Sequence, residues 1–212
     1  MGIADLVGFA GAALVIAAVG VATGRLATLG RPWLGLVGTA CAAMALLPVV
    51  PLPLAGFLRG VTGDLSVTTL VLLTRFVLRP AFDWKPLEAR SALALQCLVT
   101  AGGLLLYPLT LGLGLWDPYR LGYGELWFLG ALVALAAVIL FFDLFFVTVC
   151  LALGVLAWSL GVFESRNLWD HLLDPLVFVW GLSALLLRSA RALRRATRRG
   201  AIGFMSGAES SS

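Results

Sequence analysis

Apolar stretches long enough to cross a lipid bilayer follow one another along almost the whole of this sequence. Of its 212 residues, 61% are hydrophobic and only 12% are charged, whereas a soluble domain carries about a quarter charged residues. A bilayer core about 30 Å thick requires about 20 apolar residues of helix. The pattern therefore predicts an all-α, polytopic transmembrane helix bundle and excludes a soluble globular domain.

Seven runs reach or approach this length. They are Ile3–Thr23, Trp33–Val50, Leu65–Leu78, Ser91–Leu115, the two parts of Leu126–Phe163, and Asp174–Leu187. The third run is short and contains Arg75, whose side chain is expected to reach the head-group region together with that of Arg79. We expect about seven spans in one transmembrane domain, residues 1–199, followed by a polar tail, residues 200–212, that is expected to be disordered.

The run Leu126–Phe163 decides the number of spans. It is 38 residues long, and Asp143 is its only charged residue. As one helix it would measure about 57 Å at about 1.5 Å per residue, which is far too long for one crossing. We therefore predict two spans joined by a turn at Asp143. Five or six spans are the alternatives, if Leu65–Leu78 does not cross or if this turn is absent.

Basic residues predict the orientation, because they concentrate on the cytoplasmic side of membrane proteins. Six directly follow the last run: Arg188, Arg191, Arg194, Arg195, Arg198 and Arg199. With that end inside, seven spans place the N-terminus outside and leave only Arg59, Arg120 and Arg166 outside among the basic residues. All basic residues except Lys85 are arginine, a bias typical of GC-rich bacterial genomes. The expected location is therefore a bacterial cytoplasmic (inner) membrane.

The apolar runs carry almost no ionisable groups. Asp143 is the main candidate, and the predicted topology places it at the cytoplasmic surface, which argues against a proton-driven carrier. No phosphate-binding loop, dinucleotide-binding motif, zinc-protease motif or serine-hydrolase motif occurs. His171 is the only histidine, and the three cysteines lie singly in apolar runs. We therefore expect no metal site and no cofactor, and we find no catalytic motif.

Polar and aromatic residues gather instead on the predicted outer side. We predict that Arg59, Arg120 and Arg166 converge near the starts of the third, fifth and seventh spans and bind an anionic head group. The remaining residues of this candidate site are Asp64, Asp117, Tyr119, Tyr123, Trp169, Asp170 and His171.

A simpler interpretation of the same residues is structural. Asp64, Asp117 and Asp174 each stand just before a predicted helix or turn, where an aspartate commonly caps the first turn. Each outer arginine also has an acid close in sequence, and such loop ion pairs contribute little to stability. Convergence of the three guanidinium groups on one cavity would distinguish a binding site from this alternative.

Two functions from different classes follow from these observations. The first is a non-catalytic subunit or lipid-binding partner in the cell envelope, in which Gly20-x-x-x-Gly24 lets another membrane protein approach the first span. The second is a membrane enzyme acting on a lipid-linked or phosphorylated substrate at the outer face. The C-terminal arginines are assigned to contact with anionic membrane lipids rather than with nucleic acid.

Overall fold

The computed structural model describes residues 2–50 and 52–209, and most of them lie in helices. The helices are α1 (Ile3–Leu26), α2 (Arg31–Leu46), α3 (Leu54–Thr62), α4 (Val67–Phe82), α5 (Ala89–Thr110), a 3₁₀ helix (Pro118–Tyr123), α6 (Leu126–Phe141), α7 (Phe145–Ser159), α8 (Leu168–Leu172) and α9 (Pro175–Glu209). Between α2 and α3, two short strands, β1 (Pro48–Val50) and β2 (Leu52–Pro53), pair antiparallel.

Three helices within the described residues are long and apolar enough to cross a membrane: α1, α5 and the first part of α9, Pro175–Arg195. Two more, α6 and α7, are apolar but shorter. The predicted all-helical character is therefore confirmed, and three of the described helices have the length and composition to cross a membrane. The second and third predicted runs correspond to α2 and α4, each of 16 residues. At about 1.5 Å per residue, such a helix covers most of the bilayer core.

The predicted break at Asp143 is present. Helix α6 ends at Phe141 and α7 begins at Phe145. Between them Asp143 has a φ of 60°, and its backbone N–H donates to the carbonyl of Leu140 over 2.9 Å. Aspartate is one of the few residues besides glycine that tolerate this left-handed conformation. One aspartate therefore ends the helix without the glycine that commonly marks such a position.

Helix α9 extends into the segment for which a disordered tail was predicted. It continues to Glu209, whereas the polar composition predicts a disordered tail from residue 200. Residues 210–212 lie outside the described residues.

The small residues of α1 pack against other helices of the same chain. A Cβ added at Gly20 would lie 2.5 Å from the Sγ of Cys41, and one at Gly24 would lie 2.8 Å from a methyl carbon of Leu34. Both neighbours belong to α2. The glycine face that was predicted to receive a partner membrane protein is therefore occupied by α2.

Contacts between distant segments define the two ends of the helix bundle. At one end, Arg59 bonds to Asp5, and Asp174 accepts a hydrogen bond from the backbone N–H of Ser66. We call this the acidic end, because the segments that meet there carry more acidic than basic residues. At the opposite end, Arg31 after α1 pairs with Asp83 after α4. We call this the basic end, where arginines predominate.

Candidate functional site

A cavity of about 590 Å³ opens at the acidic end, between α5, the 3₁₀ helix, the loop after α7 and the start of α9. We call it the acidic cavity. Its lining includes four carboxylates, those of Asp64, Glu164, Asp170 and Asp174, and the side chains of Thr62, Tyr107, Thr110, Tyr119 and Ser165. Among the described residues, no basic side chain lines it.

Arg59 lies next to this cavity, at the centre of an ion-pair network. Its Nε lies 2.7 Å from Oδ1 of Asp64, its Nη1 lies 3.1 Å from Oδ1 of Asp5, and its Nη2 lies 3.2 Å from Oε1 of Glu164. The hydrogen bonds to Asp64 and then Asp5 raise the pKa of the guanidinium, although burial opposes them. A Cβ at Gly8 of α1 would overlap this guanidinium, so glycine leaves the space that it needs. The network joins α1, α3 and the loop after α7.

Asp170 is held by two hydroxyl groups from other segments. The Tyr119 hydroxyl donates to Oδ2 of Asp170 over 2.8 Å, and the Ser165 hydroxyl donates to the same oxygen over 2.5 Å. Burial, and then the bond to Asp170, raise the pKa of the Tyr119 hydroxyl, so it remains a donor at neutral pH. The amide of Asn167 donates to the Tyr119 carbonyl over 2.8 Å. These bonds fix the 3₁₀ helix against α8.

Asp174 joins the starts of two helices. Its Oδ1 accepts from the N–H of Val177 and caps α9, while its Oδ2 accepts from the N–H of Ser66 at the start of α4. Only 5% of Asp174 is exposed. The nearby Tyr107 hydroxyl is buried and has no hydrogen-bond partner among the described residues. Tyr107 lines the acidic cavity, so a bound ligand can supply that partner.

His171, a predicted member of the site, has a structural position instead. It is fully buried, its ring stacks on Phe163 with centroids 4.7 Å apart, and its Nδ1 donates to the carbonyl of Asn167 over 3.0 Å. Burial lowers the pKa of the imidazole, so the ring is neutral at neutral pH. It does not line the acidic cavity.

The three arginines of the predicted anion site do not converge. Arg120 and Arg166 are exposed and form no ion pair with any residue that the structure describes, and Arg59 is occupied by its three acids. Successive residues of a 3₁₀ helix point about 120° apart, so Tyr119 faces the cavity while Arg120 faces outward. The convergent arginine site is therefore replaced by a cavity that is lined with carboxylates.

Arg166 and Tyr123 belong to a separate opening. They line a cavity of about 580 Å³ on the other side of residues 163–165, together with Trp158. Trp158 fixes this loop, because its indole N–H donates to the Arg166 carbonyl over 2.8 Å. The ring of Tyr123 contacts that of Tyr119 edge-on at 5.8 Å. Tyr123 is therefore separated from the acidic cavity by the ring of its neighbour.

The capping predictions are confirmed for two of three aspartates. Asp117 accepts from the N–H of Tyr119 and caps the 3₁₀ helix, and Asp174 caps α9. In front of α4 the cap is Ser66, which accepts from the N–H of Thr69, while Asp64 bonds to Arg59.

Trp169, the last of the predicted residues, supports the site from outside. Its indole N–H donates to the carbonyl of Pro118 over 3.0 Å, and its ring packs on Phe128 with centroids 4.9 Å apart. The polar lining residues missing from the predicted site are Thr62, Tyr107, Thr110, Glu164, Ser165 and Asp174, and Asp5 is missing from the Arg59 network beside it. Asp5 was foreseeable, because the predicted topology places it at the same membrane depth as Arg59.

An apolar groove of about 310 Å³ lies beside the acidic cavity, between α5 and α6. Helices α7 and α8 form its floor, and its lining includes Gly102, Leu105, Phe128, Ala131, Leu151 and Leu172. Leu105 and Ala131 are exposed, so the groove opens to the outside of the bundle. Leu173 lines both the groove and the acidic cavity. The polar and the apolar spaces therefore share Leu173 as a lining residue.

Comparisons with protein-family models, with curated proteins and with solved structures give no match to this chain.

Proposed function

We propose that this protein is a multi-pass protein of a bacterial cytoplasmic membrane that binds a lipid without transforming it. The lipid's head group occupies the acidic cavity and an acyl chain lies in the apolar groove. The observation that carries this proposal is the contact of the two spaces at Leu173. Such a pair of polar and apolar spaces matches the chemistry of an amphiphile.

The proposed topology has seven spans, with the acidic end outside and the C-terminus in the cytoplasm. The spans are α1, α2, α4, α5, α6, α7 and α9. The charge distribution supports this orientation, because the loops at the basic end and the segment after Leu187 carry most of the arginines. The short helices α3 and α8 and the 3₁₀ helix then lie at the outer surface.

The chemistry of the acidic cavity favours a head group that donates hydrogen bonds. Carboxylates only accept, and each has about four lone-pair sites. Asp170 and Asp174 use some of these sites on protein donors, and Glu164 is largely exposed. Arg59 beside the cavity balances only part of the charge of its four carboxylates, so a phosphate group would be repelled, whereas an ammonium group or sugar hydroxyls would be attracted. The proposed head group is therefore an amine or a polyol, in place of the anion predicted from the arginines.

The groove supplies selectivity more than affinity. Acyl chains are as apolar as the leucine side chains that line the groove, so moving one from the bilayer into it gains little free energy. Gly102 and Ala131 have small side chains and leave room for a chain at the lining. The proposed lipid therefore derives its affinity from the head group, while the groove determines its position.

The subunit hypothesis is supported less well than lipid binding. The glycine face of α1 is filled by α2, so a protein partner would require another surface. An enzyme acting on a lipid-linked substrate is the second candidate. It is favoured by Asp170, whose carboxylate is oriented by two hydroxyl donors in a cavity, as a general base requires.

Native mass spectrometry of the purified protein tests lipid binding. Lipids with amine or sugar head groups should stay bound, and Tyr107→Phe and Asp170→Asn should each lower their occupancy. Glu125→Gln is the matched control, because Glu125 is an exposed acid of the acidic end that does not line the cavity. Equal occupancy in all variants, or a preference for purely anionic lipids that Asp170→Asn leaves unchanged, would contradict the proposal.

The same variants separate a binder from an enzyme. If the second candidate is correct, a bound lipid-linked substrate is converted by the wild type on incubation and persists unconverted in Asp170→Asn. In a binder, the mass of the bound lipid stays constant in both proteins.

A further inference from the structure

A second cavity, of about 510 Å³, lies at the basic end of the bundle. Four basic side chains line it, those of Arg25, Arg31, Arg79 and Lys85, and Asp83 is the one acid that the described lining contains. We call it the basic cavity. It is formed by the end of α1, the start of α2, the end of α4 and the segment that follows α4.

The turn after α4 builds one wall of the basic cavity. Asp83 has a φ of 49° and ends the helix. The chain that follows is held by two arginines of α4: the Nε of Arg79 donates to the carbonyl of Trp84 over 3.2 Å, and an Nη of Arg75 donates to the carbonyl of Lys85 over 2.8 Å. The wall is therefore held by hydrogen bonds to its backbone carbonyls, and the ammonium group of Lys85 takes no part in them.

In the opposite wall, the guanidinium of Arg25 lies over an aromatic ring. Its guanidinium carbon lies 4.4 Å from the centre of the Phe76 ring, which orients the group. Arg25 forms no ion pair within residues 2–50 and 52–209. The Arg31–Asp83 pair has both side chains about 70% exposed, so it is screened by water and contributes little.

The charge of the basic cavity is therefore not balanced by the protein. Four cations share one space, and the single acid is bonded to only one of them. The positive charges of these side chains repel one another, and a bound anion would offset that repulsion. Arginine is suited to this because its fork of N–H groups bonds phosphate oxygens in pairs.

We propose that the basic cavity binds the phosphate group of an anionic lipid. Basic pockets between membrane helices are typical sites for such head groups on the cytoplasmic side. Trp84 and Phe82 stack with ring centroids 5.4 Å apart beside the cavity, in the manner of aromatic residues at the head-group level. This site lies at the opposite end from the acidic cavity, so it is independent of the function proposed there.

The test measures binding of phosphatidylglycerol to the full-length purified protein in detergent, by native mass spectrometry with increasing lipid concentration. Arg25→Gln and Arg79→Gln should each raise the apparent Kd by at least about fivefold, because each removes a charge-assisted contact. Lys85→Gln should act in the same direction, and it leaves the Arg79 bond to Trp84 intact, so it separates lost binding from a loosened turn. Arg90→Gln is the control, because Arg90 is an exposed arginine at the start of α5 that does not line the cavity.

Inorganic phosphate distinguishes the two sources of the ligand. If millimolar phosphate displaces the lipid from the wild type, and displaces less of the weaker binding that remains in Arg25→Gln, the cavity recognises the phosphate group itself. If only another anionic lipid displaces it, the site recognises a phosphate that carries its acyl chains. An equal loss of affinity in Arg90→Gln and the cavity variants, or no saturable binding, would overturn the proposal, because the arginines would then attract anionic lipid without a site.

Discussion

Replacing Arg59 with glutamine should destabilise the protein more than replacing any other arginine of the acidic end. Its side chain is only 18% exposed, and its main partner Asp64 is 19% exposed. A hydrogen bond between charged groups contributes about 1.5–3 kcal/mol. The bond to Glu164 adds less than about 1 kcal/mol, because that side chain is 69% exposed. Glutamine retains only part of the hydrogen bonding, so we expect a loss of about 2 kcal/mol.

Thermal unfolding of the detergent-solubilised protein measures this loss. For a chain of this size, each kcal/mol lowers Tm by about 2–4 °C, so Arg59→Gln should lower Tm by about 4–8 °C. Arg120→Gln is the control, because Arg120 is exposed and forms no ion pair with the described part of the chain. If the two variants unfold at the same temperature, the network does not stabilise the fold and the reasoning from burial is wrong.

Three further predictions concern other parts of the chain. Burial lowers the pKa of His171 in the folded state. The fold is therefore fully stable with respect to this group above the unfolded pKa of about 6.5, and it loses stability as the pH falls from there through the lower folded pKa. His171→Phe should flatten the dependence of Tm on pH between about 5 and 7. Gly20→Val should lower Tm, because the valine side chain would overlap Cys41 at a cost of about 1–3 kcal/mol. Gly130→Ala is the control and should leave Tm unchanged or raise it, because a Cβ at position 130 would meet no atom within 4 Å. Asp143→Cys should react with a membrane-impermeant thiol reagent only from the cytoplasmic side, and labelling from outside would refute the orientation.

The long apolar helices could be predicted from the sequence because hydropathy and length act locally. Each run of the pattern contains a helix, and even the break at Asp143 follows from the excessive length of Leu126–Phe163. The short elements α3 and α8 could not be predicted in this way. They have nine and five residues, too few for an isolated helix to be stable, so they depend on contacts with distant parts of the chain.

Of the residues predicted for the candidate site, Asp64, Tyr119 and Asp170 line the acidic cavity. Tyr119 and Asp170 were both included, and they are in contact although 51 positions separate them. The direction of Arg120 could not be derived, because it depends on the 3₁₀ geometry of a segment that the sequence identifies only as a turn. The contact of Arg59 with Asp5, which lies 54 positions away, is indicated by the predicted topology alone, which places both residues at the same membrane depth. Proximity of that kind is set by tertiary packing and leaves no local pattern.

The Arg59 network also has a consequence for the order of assembly. A chain is made from its N-terminus, so Asp5 and Asp64 are available to Arg59 early in synthesis, while Glu164 follows Arg59 by 105 positions. Until α6 and α7 are inserted, the ion pairs of Arg59 reach only α1 and the loop that follows α3. The Arg59–Glu164 ion pair can form only after Glu164 has been synthesised, and it links the loop after α7 to α3. A nascent chain that stops before α7 is complete therefore lacks this link between the two halves of the bundle.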